Sequence, residues 1–238
     1  MKRALVWFRL LIFSLATLHA STKVLVTVVD PKSGHPIPGL KTEDFTLLDN
    51  KTPRHVESAE LTSTNLDVIL LLDTSLAGAM VQPMAENLVA QLKPKDQMAV
   101  VSFHSSADLI QDFTSSQEIL LRSISKVKYG NNPHMLDGLY ATIDGGFQNT
   151  GFRRAILLLT AGVEGNSRVK DNEVIRLARR NGVSIFVVYM IGFERSMFEN
   201  LARQTGGASF RVKDMRKMGE GPPGARIFTL LRSYYTLT

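Results

Sequence analysis

The feature that most constrains the fold is an apolar run that ends in an acidic residue, within residues 66–79 (Leu-Asp-Val-Ile-Leu-Leu-Leu-Asp-Thr-Ser-Leu-Ala-Gly-Ala). Residues 68–72 are apolar at every position, which is typical of a central strand in a parallel sheet covered by helices on both faces. Open α/β sheets bind ligands at the carboxyl ends of such strands, so Asp73 and Ser75 are candidate site residues. A helix cap is the alternative role for the same side chains, because both accept hydrogen bonds from the free N–H groups of a helix start.

Strand and helix patterns alternate after this run. Two capping-box patterns, Ser115 with Glu118 and Ser196 with Glu199, predict helix starts. The predicted strands are residues 98–103, 155–160, 183–189 and 208–212, and the predicted helices are residues 80–92, 116–124, 135–145, 172–180, 196–205 and 225–232. This order predicts an α/β fold with a doubly wound, mostly parallel central sheet and helices on both faces, because right-handed crossovers place them there.

The segment before the main domain has a different composition. Residues 22–29, 45–48 and 56–61 have strand composition, and they are separated by turn residues and prolines. We therefore predict a small β appendage over residues 21–63 and a main domain over residues 64–238.

Residues 1–20 have the layout of a secretory signal peptide. Basic residues (Lys2, Arg3 and Arg9) precede a short apolar core, and the small residue Ala20 closes the segment. Its removal lowers the net charge from +6 to +3, because three basic and no acidic residues are lost. A net charge of +3 is too small to indicate a nucleic-acid partner. We expect a secreted or periplasmic protein with no membrane span after signal removal.

Several enzyme classes lack their motifs in this sequence. There is no cysteine, which excludes disulfides, thiolate metal sites and a cysteine nucleophile. The glycine-rich phosphate loops and the Gly-x-Ser-x-Gly nucleophile motif are absent. Residues 213–224, rich in glycine, proline and basic residues, have no apolar periodicity, so we predict a mobile loop there.

Several motifs, in this order and spacing, resemble the von Willebrand factor type A (VWFA) domain family, and the leader resembles that of a bacterial secreted, VWFA-related subtype. The resemblance covers nearly everything after the signal peptide. The main-domain motifs are Asp73-Thr74-Ser75, residues 98–103, Phe113-Thr114, residues 155–160 and residues 201–207, and the leader motifs are residues 24–29, Pro38-Gly39-Leu40 and Asp44-Phe45.

The resemblance implies a divalent-metal site where the parallel strands end, the edge that we call the crest of the sheet. The family pattern is Asp-x-Ser-x-Ser, then a threonine on a second loop, then an aspartate after the third buried strand. Asp73 and Ser75 match the first two positions, but Ala77, Pro133 and Ala161 stand at the other three and offer no side-chain oxygen. Magnesium requires near-octahedral oxygen coordination, so we predict a degenerate metal-ion-dependent adhesion site.

Three side chains are alternative oxygen ligands by a different path: Glu164, Asn131 and Asn132. We expect no cofactor, with weak magnesium binding as the alternative. The predicted function is a non-enzymatic module that binds a protein through the crest, around Asp73, Ser75, residues 133–135 and residues 161–164. A rival hypothesis is an α/β enzyme, a hydrolase or phosphotransferase that uses Asp73. A third is a structural domain whose working parts lie in a continuation of the chain.

Overall fold

The structure is a computed structural model that describes residues 22–30, 35–130, 132–148, 150–215 and 222–238. Its strands are β1 Val24–Val26, β2 Leu47–Asp49, β3 Thr52–Arg54, β4 Ala59–Thr62, β5 Leu66–Asp73, β6 Gln97–Phe103, β7 Ala107–Thr114, β8 Arg153–Thr160, β9 Ser184–Tyr189, β10 Ser209–Arg211 and β11 Tyr234–Leu237. Its α-helices are α1 Gln82–Val89, α2 Gln117–Ile124, α3 Met135–Gly145, α4 Asp171–Arg180, α5 Arg195–Gln204, α6 Val212–Met215 and α7 Pro223–Arg232. Two 3₁₀ helices span Thr42–Asp44 and Leu76–Val81.

The main domain is built on a six-stranded sheet in the order β10-β9-β8-β5-β6-β7. All pairs are parallel except β6 with β7, which is antiparallel. Strand β5 lies inside the sheet and all eight of its residues are buried. The predicted doubly wound α/β fold is therefore confirmed, and the apolar run at residues 68–72 is its central strand.

Alternate residues of β5 point to opposite faces of the sheet, and both faces are apolar. Val68, Leu70 and Leu72 pack in one core with α1, α2 and α7, while Ile69 and Leu71 pack in the other with α3, α4 and α5. Helices cover both faces, which explains why the strand sequence shows no alternation of apolar and polar residues.

A second, three-stranded sheet has the order β1-β11-β4, and all its pairs are antiparallel. The carboxyl-terminal strand β11 lies between the two amino-terminal strands, and Tyr235 and Leu237 pack with Val56 in a small separate core. Strands β2 and β3 form a hairpin whose turn, Asn50 and Lys51, has positive φ at both residues. The sheet of the appendage thus contains a strand from the segment assigned to the main domain.

Some predicted boundaries were wrong. The N-cap of α2 is Ser116, whose side chain accepts from the Ile119 N–H, rather than Ser115. Helix α5 begins at Arg195 after Glu194, so Ser196 is inside the helix and does not cap it. The sequence showed no sign of β7, because this edge strand is largely exposed and carries several polar residues.

Two further predictions fall partly or wholly outside the described residues. The signal peptide, residues 1–20, lies outside them, as do residues 216–221 of the predicted mobile loop. The described start of that loop is the short helix α6. Among the described residues, no helix has the length and apolar character needed to cross a membrane.

Candidate binding site at the crest of the sheet

The Asp73 carboxylate, at the carboxyl end of β5, is fully buried and makes three hydrogen bonds. One oxygen, Oδ1, accepts from the backbone N–H of Ser75 at 2.8 Å. The other, Oδ2, accepts from the Thr160 hydroxyl and from the Ala161 N–H, both at 2.9 Å. A carboxylate has about four acceptor positions, so three of them are occupied. Asp73 therefore joins the loops that follow β5 and β8.

Ser75 does not act as a side-chain cap. It precedes the 3₁₀ helix Leu76–Val81 in the N-cap position, but its hydroxyl makes no capping hydrogen bond. The adjacent Thr74 hydroxyl donates instead to the carbonyl of Phe103 at the end of β6, at 2.8 Å. The polar groups at the end of β5 thus bind to the ends of both neighbouring strands.

The described residues at this site do not fit the family's metal pattern. Ala77 and Pro133 offer no side-chain oxygen, and Ala161 turns its backbone N–H, a donor, toward the Asp73 carboxylate. A cation needs acceptor oxygens at these positions, in near-octahedral arrangement for magnesium. Within the described ranges, no group of three or more His, Asp and Glu side chains is arranged to hold a metal ion.

Neither of the two alternative ligands that the structure describes, Glu164 and Asn132, is hydrogen-bonded to Asp73. The Glu164 carboxylate accepts from the backbone N–H of Leu136 at 3.4 Å, at the start of α3. Asn131 lies outside the described residues, and no hydrogen bond joins Asn132 to Asp73. Glu164 therefore stabilises a helix start in this structure.

The loop before α3 is fixed by backbone contacts. The His134 N–H donates to the carbonyl of His104 at 2.8 Å, and His134 also forms an isolated β-bridge with Gly165. Gly165 has a φ of +80°, and a Cβ there would overlap the Pro133 carbonyl, so only glycine fits this close approach. The structure thus brings residues 133–135 and 161–164 together, as the sequence predicted.

Two histidines at the crest belong to small polar networks. His104 Nε2 lies 3.3 Å from Asp108, and His134 Nδ1 lies 3.6 Å from Asp137. Asp137 also accepts from the backbone N–H groups of Arg168 and Val169. These contacts are structural and place no histidine beside the Asp73 carboxylate.

Tyr129 lies close enough to Asp73 for the two side chains to interact electrostatically. Burial raises its pKa above the usual value of 10.0, and the negative charges of Asp73 and Glu86 raise it further. The Tyr129 hydroxyl is buried and has no hydrogen-bond partner in the described part of the chain.

The crest exposes apolar side chains that sequence reasoning missed. Leu76 and Phe193 are each 80% exposed, and Met80, Val163 and Ile191 are also exposed. They follow β5, β8 and β9, three neighbouring strands whose ends lie about 5 Å apart. The Ile191 N–H donates to the Ala161 carbonyl at 2.9 Å, which joins two of these loops. The apolar pattern of the sequence does not indicate this exposure, because the exposure depends on the path of the loops after the strands.

The sequence matches one known domain family over most of its length. The von Willebrand factor type A domain model matches residues 67–221. No curated protein matches the chain significantly.

Solved structures share the fold. The proximal thread matrix protein 1 from the mussel byssus, with a zinc-occupied MIDAS motif, superposes with a TM-score of 0.60 at 17% identity, covering 74% of this chain and 48% of that one. The conserved hypothetical protein BatB from Bacteroides thetaiotaomicron gives 0.51 at 15% identity, covering 65% and 98%. A von Willebrand factor type A protein from Catenulispora acidiphila gives 0.53 at 15% identity, covering 74% and 44%. This chain thus spans about half of the mussel protein and nearly all of BatB.

Proposed function

This chain belongs to the von Willebrand factor type A domain family, and we propose that it is a non-enzymatic protein-binding module whose crest contacts its partner without a metal ion. Domains of this family generally act in adhesion and protein interaction. The proposal makes Asp73 and Ser75 remnants of a degenerate metal-ion-dependent adhesion site. Apolar contact then replaces the bond between a metal and an acidic group of the partner.

The observation that carries this proposal is the exposure of Leu76 and Phe193 at the same crest where the buried Asp73 carboxylate already accepts three hydrogen bonds. A Leu or Phe side chain buried at an interface contributes about 1.5–3 kcal/mol. Two such side chains at the carboxyl edge of an α/β sheet, where variable loops meet, favour a protein contact.

The same geometry weighs against the rival enzyme hypothesis. An aspartate nucleophile must reach a substrate, but Asp73 is buried and its oxygens accept from Ser75, Thr160 and Ala161. A site for general acid–base chemistry would also need a second group within reach of the reacting atom. We propose no reaction for this site.

We further propose that the mature protein starts at or near Ser21 and lies outside the cytoplasm, on the basis of the composition of residues 1–20. Mass spectrometry of the native protein tests this. Recovery of residues 1–20 intact from a soluble cytoplasmic fraction would contradict it.

The experiment that tests crest binding is affinity capture from the native cell envelope, with magnesium and with a chelator. The variant Leu76→Ser/Phe193→Ser removes the exposed apolar groups. Leu48→Ser/Leu61→Ser is the matched control, because Leu48 and Leu61 are 57% and 50% exposed on the appendage strands β2 and β4, outside the crest.

We expect the wild type and the control to capture the same partner with or without chelator, and the double variant to lose it. Capture that disappears with chelator would show a metal-dependent contact. Undiminished capture by the double variant would show that the partner binds elsewhere.

A further inference from the structure

A groove of about 1020 Å³ extends along α5 from the edge of the sheet where β9 and β10 begin. One wall is β1, and the other is formed by the end of α4, by α5 and by the turn before β10. The Thr27 hydroxyl donates to the Gly206 carbonyl at 3.1 Å and so links the two walls. Gly206 has a φ of +76°, a conformation that favours glycine. The groove is thus built by the contact of the appendage with the main domain.

The groove carries unpaired positive charge. Lys23, Arg179 and Arg203 line it, and none has an ion-pair partner among residues that the structure describes. The acidic residue in the lining is Glu199, which is bound to Arg195 at 2.7 Å. The groove therefore attracts anions, and its guanidinium groups suit carboxylates, which they bind in a bidentate manner.

The uncharged lining favours a polypeptide over a nucleic acid. Among the residues that the structure describes, no aromatic side chain lines the groove, although proteins that bind single strands use aromatic rings to stack the bases. Leu25 and Val29 instead expose aliphatic surface in the wall formed by the appendage. Aliphatic side chains and cations side by side match an extended segment that alternates apolar and acidic residues.

We propose that this groove binds an acidic, extended segment of a partner protein, with its carboxylates on Lys23, Arg179 and Arg203 and its apolar side chains against Leu25. The inference does not depend on crest binding, because no residue belongs to both surfaces. The protein then has two contact surfaces, an apolar one at the crest and a basic one along α5.

A labelled ten-residue peptide of alternating Glu and Val tests the proposal, titrated into the full chain and followed by fluorescence anisotropy. The isosteric peptide of Gln and Val is the ligand control. Arg179→Glu/Arg203→Glu reverses the groove charge, and Arg176→Glu/Lys126→Glu reverses two exposed charges outside it as the matched control. The milder Arg179→Gln/Arg203→Gln, the neutralised variant, removes both guanidinium charges and leaves that of Lys23, in case charge reversal impairs folding.

We expect the acidic peptide to bind the wild type and the matched control equally, and the charge-reversed variant at least about tenfold more weakly. The neutralised variant should fall between them, and added salt should weaken binding. Equal binding of the Gln peptide, or undiminished binding by both groove variants, would overturn the proposal. A thymidine decamer that binds the groove more tightly than the peptide would overturn it in favour of nucleic acid. Self-association that only the groove variants abolish, without peptide binding, would assign the groove to a second copy of the chain.

Discussion

The crest and the opposite edge of the sheet, which we call the base, both contain buried charged residues, but they use them differently. At the base, Asp96 accepts from the backbone N–H groups of Leu66 and Lys93 and pairs with Arg232. At the crest, Asp73 has only uncharged donors. Asp96 at the base is therefore neutralised by a cation, whereas Asp73 at the crest is stabilised by hydrogen bonds alone. The other buried carboxylate at the base, Asp67, accepts from the Phe152 N–H.

A buried cation at the base, Arg153, joins the appendage to the main domain. Arg153 donates to the Leu231 carbonyl and the Thr27 hydroxyl, and its guanidinium lies 3.9 Å from the centre of the Tyr234 ring. Burial lowers the pKa of Arg153 to about 10. Charged groups hold elements together at both edges, and the crest differs in that Leu76 and Phe193 are largely exposed there.

The largest effect is expected at the base, for Asp96→Ala. This change leaves the Arg232 charge and two backbone N–H groups without their acceptor, which costs about 3–5 kcal/mol of unfolding free energy. The control Asp144→Ala removes an exposed carboxylate from α3 and should stay within about 0.5 kcal/mol. Urea unfolding measures both. A loss below about 1 kcal/mol for Asp96→Ala would show that this ion pair contributes little.

A smaller effect is expected at the crest, for Asp73→Ala. Its three donors are the Ser75 and Ala161 N–H groups and the Thr160 hydroxyl. Their loss of an acceptor costs about 1–3 kcal/mol. Urea unfolding with magnesium and with a chelator should give the same difference between wild type and variant. Stabilisation of the wild type alone by magnesium would contradict a crest without a cation.

The smallest effect is expected for Tyr129, whose pKa should lie above the usual tyrosine value of 10.0. Its raised pKa means that the hydroxyl stays protonated in the folded state after it ionises in the unfolded state. Its contribution to stability is therefore complete below pH 10 and is lost as the pH rises through the folded pKa. The difference in tyrosinate absorbance between wild type and Tyr129→Phe isolates this group. A midpoint below pH 10, or one that magnesium lowers, would place a cation beside Asp73.

The sequence predicted the strands in which nearly every residue is buried. Strands β5, β6, β8 and β9 are buried on both faces and read as continuous apolar runs, and α3 has the predicted bounds, Met135–Gly145. Edge strand β7 has no such signature because solvent contacts much of it. The pairing of β11 between β1 and β4 could not be predicted either, because it depends on contacts about 200 residues apart.

The site was predictable in position but not in chemistry. Asp73 at the end of a buried strand indicated the crest, and the family resemblance indicated Ala161 as its neighbour across 88 residues. The hydrogen bond from the Ala161 N–H to Asp73 could not be predicted, because it depends on the path of the loop after β8. Exposure of Leu76 and Phe193 likewise depends on loop geometry, which apolar periodicity does not encode.

The most direct test of the central claim is calorimetric titration of magnesium and manganese into the wild type and into Ala77→Ser/Pro133→Thr/Ala161→Asp. The triple variant restores the missing oxygens at loops that already converge on Asp73, so we expect measurable binding there and weak or no binding by the wild type. The single variant Ala161→Asp should bind less and lose stability, because its carboxylate would lie beside Asp73 without a cation. Tight magnesium binding by the wild type would contradict the account and assign the missing ligands to Glu164 or a loop asparagine.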